Sequence, residues 1–255
     1  MKTLIILHGW ASSKEKWQKV KEGIEKASTG LVQEGGVKVI VPDIPGFKPE
    51  NELKKPWNLD NYVDWLDRFC QEKRVNGELV EPFFLSGHSF GGALAAKFTA
   101  RYPEKIDKLF LVASSCIRRK TIKKWFLGRV SKILKIFAFL PFFNLARKAF
   151  YKFVVGPTDY LNAKGELKQT FLNIISEDLS SSLPLIKVPT VIIWGKEDKA
   201  TLLEDAYLIN KKISNSKLVI IPDKGHSLQK EAPEILVKKV LENLRSVGFE
   251  SYTPN

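Results

Sequence analysis

The chain has 255 residues, of which 44% are hydrophobic and 27% charged; this suits one folded α/β domain carrying an insertion and excludes a disordered or low-complexity chain. The formal net charge is +13. It is concentrated between Ile117 and Val155, where Arg118, Arg119, Lys120, Lys123, Lys124, Arg129, Lys132, Lys135, Arg147, Lys148 and Lys152 stand without a single Asp or Glu.

No apolar run reaches the about 18 residues a membrane-spanning helix needs. The opening MKTLIILHGW has too short an apolar run for a secretory signal and reads as a strand. A cytoplasmic location is therefore expected, and Cys70 and Cys116 are expected to be reduced thiols.

In chain order, nearly all-apolar strands are predicted at Lys2–Leu7, Val37–Val41, Pro82–Ser86, Lys108–Ala113, Thr190–Trp194 and Lys217–Ile221. Strands of this kind belong to sheets covered on both faces. Helical patterns fall between them, at Lys14–Lys26, Leu59–Lys73, Gly91–Tyr102, Leu202–Ile213 and Pro233–Val247. Ser12-Ser13-Lys14-Glu15 has the spacing of a capping box for the first helix. The alternation predicts an α/β fold: a doubly wound, mostly parallel sheet of about six strands.

Sites in such sheets form beyond the carboxyl ends of the strands. Those ends read His8-Gly9-Trp10, Pro42-Asp43-Ile44-Pro45-Gly46-Phe47, Gly87-His88-Ser89-Phe90-Gly91, Ser114-Ser115, Gly195-Lys196-Glu197-Asp198 and Pro222-Asp223-Lys224-Gly225-His226. The third is a G-x-S-x-G nucleophile elbow, in which a serine sits at a sharp strand-to-helix turn between residues that lack a Cβ. A serine, an aspartate and a histidine thus lie, in that order, along one edge of one sheet.

The segments LHGW, PDIPGF, GHSFGG, WGKED and GH, spread from Leu7 to His226, resemble the α/β-hydrolase fold family. Members usually carry two more strands before the HG turn; here His8-Gly9 comes almost at the start, so a sheet trimmed to about six strands is expected. The resemblance implies a serine hydrolase with Ser89 as nucleophile, His226 as general base and Asp198 as the acid that orients it. Glu197 is the rival acid, but the G-x-x-D spacing from Gly195 favours Asp198; Asp223 reads as a turn residue. The oxyanion hole is expected from the backbone N–H groups of Trp10 and Phe90. His8 and His88 read as structural, and Asp43 and Gly46 as scaffold. No metal-binding or dinucleotide-binding spacing is present, so neither metal nor cofactor is expected.

The long stretch between the fourth and fifth strands exceeds an ordinary loop. In the resembling family a helical cap sits there, so the expected organisation is a core of residues 1–115 and 189–255 with a cap insertion at 116–188. The basic face of that insertion suits either solvent or an anionic partner: a membrane surface, which would make the protein peripheral, or an acidic carrier protein. Nucleic acid is not expected, since no recognition motif accompanies the charge. The expected reaction is hydrolysis of small-molecule carboxylic esters of an apolar acyl group through an acyl-serine intermediate. The alternatives are a C–C bond hydrolase of the same fold and a non-catalytic binding module on a hydrolase scaffold.

Overall fold

The computed structural model describes residues 2–29, 35–118 and 165–244. Six strands, β1 (Lys2–Leu7), β2 (Val37–Ile40), β3 (Phe83–His88), β4 (Ile106–Val112), β5 (Thr190–Gly195) and β6 (Ser216–Ile221), form one sheet in the order β2-β1-β3-β4-β5-β6. Every pairing is parallel.

The apolar strands split cleanly between two cores because successive side chains point to opposite faces. Leu4 and Ile6 of β1, with Val191 and Ile193 of β5, join one cluster; Ile5 and Leu7, with Ile192 and Trp194, join the other. The first cluster is covered by α1 (Gln18–Ser28) and a helix at Pro233–Leu244. The second is covered by α2 (Leu59–Val75), α3 (Phe90–Arg101) and a helix at Leu203–Lys212. The strand order reverses at β1, whose neighbours are β2 and β3. That switch point opens a crevice at the carboxyl end of the sheet, flanked by the turns that leave β1 and β3.

The first helix departs from expectation. Lys14–Trp17 is a 3₁₀ turn that precedes α1, and Ser13 makes no side-chain capping bond. The capping box does not form because the turn starts at Lys14 with Ser13 at its N-cap, one residue beyond Ser12, and Glu15 is bound by Lys48 at 3.1 Å. The tight turn delivers Trp17 into the core, where it is buried.

Of the expected insertion, residues 119–164, with nearly all of the basic segment, lie outside the described residues. Its two described limbs pack together. The backbone N–H of Arg118 donates to Asp178 at 3.0 Å, and that of Leu179 to the Cys116 carbonyl at 3.0 Å. The returning limb contains α4 (Glu166–Ser176), which is docked on the core; later helices are α5 (Leu203–Lys212), α6 (Leu228–Glu231) and α7 (Pro233–Leu244). Thr170 and Asn173 of α4 bind the backbone N–H and carbonyl of Trp57 at 2.9 and 3.0 Å. Lys97 of α3 pairs with Glu177 just beyond it. Cys70 and Cys116 are free and buried, and burial pushes their thiols up to about 12 and about 11. Among the described residues, no helix is long and apolar enough to cross a membrane.

Candidate active site

Ser89 stands between β3 and α3 with φ 54° and ψ −117°, a conformation costly for any residue with a side chain. Its neighbours show why the turn needs glycine. A Cβ on Gly87 would fall 2.1 Å from the Gly91 carbonyl oxygen, and one on Gly91 would fall 2.3 Å from that of Leu7. The bend is held by backbone bonds: Ser89 N–H donates to the Val112 carbonyl at 3.0 Å, and the Ser89 carbonyl accepts from Gly92, Ala93 and Ser115 at 3.0, 3.2 and 3.0 Å.

His226 lies in the loop beyond β6, and its Nδ1–H donates to Asp198 Oδ2 at 2.8 Å. Asp198 ends the turn that leaves β5, and its side chain is wholly shielded from solvent. Its other partners are the N–H groups of Ala200 and Thr201, at 2.8 and 2.9 Å on Oδ1, and the Thr201 hydroxyl at 2.8 Å on Oδ2. Burial works to raise this carboxyl, but hydrogen bonds from His226 and Thr201 and the charge of His226 outweigh it, so the pKa is lowered. The group is thus held as an acceptor for His226. Glu197 and Asp223, the other nearby acids, are exposed, and Asp223 sits in a turn with φ 56°.

Ser89 and His226 meet as walls of one cavity of about 170 Å³, which Gly9 and Trp10 also line. Among the described residues no hydrogen bond joins them. Phe90 is the first residue of α3, where an N–H has no partner within the helix. Trp10 and Phe90 are brought together, their rings 5.6 Å apart. Phe47 at 4.9 Å and Phe171 of α4 at 5.1 Å complete an aromatic cluster around Trp10.

Three further residues hold His226 in place; Glu231 and Thr201 lie outside the strand-end motifs, whereas His88 stands within one, where it reads as structural. Glu231 of α6 accepts from the N–H groups of both Gly225 and Ser227, at 2.6 and 2.9 Å, and so clasps the loop on either side of His226. His88 donates from Nε2 to the His226 carbonyl at 2.9 Å. Burial, with the charge of His226 as a smaller influence, pushes His88 down to about 4, so it is neutral. Thr201 lies 3.3 Å from His226 Nδ1 while holding Asp198. His8 serves a different turn, the one that contains Asp43 and Gly46, and fixes it by accepting at Nε2 from Ile44 N–H at 3.3 Å. In that turn Asp43 pairs with Lys14 and Lys48, and Gly46 has φ 98°.

Comparison with known proteins agrees with this architecture. The monoacylglycerol lipase ABHD6 of Bos taurus is 26% identical over 269 residues, covering 96% of this chain and 76% of that protein. The 2-hydroxy-6-oxo-6-phenylhexa-2,4-dienoate hydrolase of Comamonas testosteroni is 22% identical over 259 residues, covering 95% and 87%. The crystal structure of MGS-MChE2, an alpha/beta hydrolase enzyme from the metagenome of sediments of the Mar Chica lagoon, Morocco, superposes with a TM-score of 0.66 at 23% identity, covering 96% of this chain and 90% of that one. The sequence profile of the alpha/beta hydrolase fold matches residues 2–134 and 158–233. With a parallel six-stranded sheet and a profile match over most of its length, the chain belongs to the alpha/beta hydrolase fold family.

Proposed function

We propose that this protein is a serine hydrolase that cleaves carboxylic esters of an apolar acyl group through an acyl-Ser89 intermediate. The observation that carries the reading is the Asp198–His226 hydrogen bond, buried at its acid end, beside a cavity that His226 shares with a strained serine. The similarity to a protein named monoacylglycerol lipase supports ester hydrolysis.

In this mechanism Ser89 Oγ attacks the ester carbonyl carbon while His226 Nε2 takes its proton. The carbonyl oxygen becomes an oxyanion that accepts from the N–H groups of Trp10 and Phe90. Collapse of the tetrahedral centre breaks the C–O bond to the alcohol, which leaves with the proton held by His226. Water then attacks the acyl-serine, giving its proton to His226; the acid departs and Ser89 regains its hydrogen. Asp198 holds the imidazole in the tautomer that leaves Nε2 free and stabilises the imidazolium. The aromatic cluster around Trp10 supplies an apolar wall for the acyl chain.

A fluorophosphonate probe tests the nucleophile: it should label the wild-type protein on Ser89 and fail to label Ser89→Ala. Turnover of p-nitrophenyl esters from acetate to palmitate should accompany labelling. An unlabelled wild-type protein would sink the reading and return the chain to a non-catalytic binding role. A C–C bond hydrolase is the second reading, favoured by the similarity to the 2-hydroxy-6-oxo-6-phenylhexa-2,4-dienoate hydrolase. It predicts faster turnover of a vinylogous 1,5-diketone than of any ester. The eleven cations from Ile117 to Val155, a stretch of sequence without Asp or Glu, support an anionic membrane surface or an acidic carrier protein as docking partner.

A further inference from the structure

The two nitrogens of the His88 ring face different segments of the chain. Nε2 donates to the His226 carbonyl at 2.9 Å. Nδ1 is buried and has no hydrogen-bond partner. A buried acceptor of this kind asks for an explanation. The turn that leaves β1 supplies one, because Gly9 is packed against that edge of the ring. A Cβ built on Gly9 would fall 3.0 Å from His88 Nδ1, 3.5 Å from His88 Cε1 and 3.4 Å from Ser89 Cβ. The backbone of Gly9 is not left-handed, so what this position asks of glycine is room for the ring.

Neither the ring nor the turn has space to retreat. His88 is 5% exposed, and the buried ring of Trp17 backs it at 5.8 Å. The ring of His226 itself lies 4.8 Å away. On the far side, the Gly9 carbonyl accepts from His8 Nδ1 at 2.9 Å and from Ser12 N–H at 3.2 Å. Close-packed interiors transmit a displacement rather than absorb it. A push on the Nδ1 edge of His88 therefore travels through the ring to the main chain of His226.

We infer that His88 is a positioning residue whose ring spaces the loop of the base, His226, from the turn that carries the oxyanion donor, Trp10. As the residue before Ser89, it sets both against the nucleophile. Proton transfer and oxyanion binding have to coincide, which asks that such groups be held to within about 0.5 Å. The roles of Ser89, His226 and Trp10 rest on the hydrolase reading above; the mechanical link from Gly9 to His226 does not.

One set of variants, read in two ways, tests this. Gly9→Ala presses on the ring, which must give by a few tenths of an ångström. His88→Ala removes the ring, and the double variant removes what the new methyl group would press on. His88→Asn, shorter than an imidazole, replaces His88→Ala should the alanine protein not fold. In ¹⁵N–¹H correlation spectra, the amide resonances of His226 and Ser227 should move on Gly9→Ala when His88 is present and stay still when it is absent. Equal movement on both backgrounds, or none on either, overturns the inference.

The second reading is steady-state kinetics on a simple p-nitrophenyl ester. A displacement of about 1 Å can cost about 10²-fold, so Gly9→Ala should lower kcat by about three- to tenfold and His88→Ala by about 10²-fold. The double variant should be no slower than His88→Ala alone, since both changes act through one ring. KM should stay within about twofold throughout, and His88→Gln, which keeps a donor toward His226, should recover part of the loss in kcat. Losses that multiply in the double variant, or that fall on KM, overturn the positioning role. Absence of ester turnover by the wild type sinks the hydrolase reading and leaves the resonances to decide the link from Gly9 to His226.

Discussion

The ring of His88 and the main chain of His226 are joined by a 2.9 Å hydrogen bond, so the strand that leads to Ser89 also holds the loop that carries His226. Burial keeps this imidazole neutral although the bond to the His226 carbonyl favours its charged form, and this gives stability a pH dependence of known sign.

An unfolded chain accepts a proton on this histidine near 6.5, whereas the folded protein refuses it until about 4. Between those values the unfolded state binds more protons, so stability falls as pH falls from about 6.5 to about 4 and this contribution levels off below. His88 can account for up to about 3 kcal/mol of the loss. His8, also lowered by burial, acts in the same direction. Urea midpoints measured across this range should decline more gently for His88→Gln, which can keep a donor toward His226. Parallel curves for the two proteins would contradict the assignment.

Asp198→Asn should lower kcat by about 10⁴-fold, since an amide cannot hold the required tautomer or stabilise the imidazolium. Glu197→Gln, at an exposed position, should stay within about twofold of wild type. Steady-state kinetics on a simple p-nitrophenyl ester decides, and the reverse ranking moves the acid by one residue.

Glu231 is a positioning residue, and its loss should appear in kcat. Removing the clasp frees the backbone on both sides of His226, and displacing a base by about 1 Å can cost about 10²-fold. Glu231→Ala should therefore lower kcat by one to two orders of magnitude with KM little changed. Glu231→Gln, which keeps a carbonyl acceptor, should recover part of it. A rise in KM alone would mean the residue shapes binding.

Strain at the elbow predicts opposite effects at neighbouring positions. Ser89→Gly relieves a conformation costing about 1–3 kcal/mol, less about 0.5–1 kcal/mol of glycine entropy, for a net gain of about 1 kcal/mol. Thermal denaturation should show Tm raised by about 2–4 °C in an inactive protein. Gly91→Ala has no such relief, because its Cβ would meet the Leu7 carbonyl oxygen at 2.3 Å. It should be strongly destabilised or fail to fold. A Ser89→Gly protein less stable than wild type would show that the elbow is not strained.

The sheet and the residues at its strand ends were readable from sequence because their signals are local. Leu4–Leu7 and Val191–Trp194 are apolar throughout since both faces are covered, and the residues proposed for the site lie within a few positions of the strand ends. What could not be read depends on residues far apart in the chain. The Ser12–Glu15 pattern promised a capping box, but the turn starts one residue late, with Ser13 at its N-cap, and Lys48, distant in sequence, binds Glu15. Glu231 lies in a single helical turn too short to leave a periodic pattern, and its role exists only because α6 folds back under Gly225 and Ser227. His88 reads as one more residue of the elbow until the loop from beyond β6 is laid over it. Thr201 has meaning only once Asp198 and His226 are in contact.

The position of the base also sets when the protein can become competent during its synthesis. His226 follows β6, which among the described residues is an edge strand paired with β5 and the last strand in chain order. A growing chain acquires Ser89 long before Asp198 and His226, and on the reading proposed above it lacks its base until β6 has emerged and docked. On that reading partly made chains should be silent toward esters, and the onset of turnover on a translating ribosome would time the closing of the sheet's far edge.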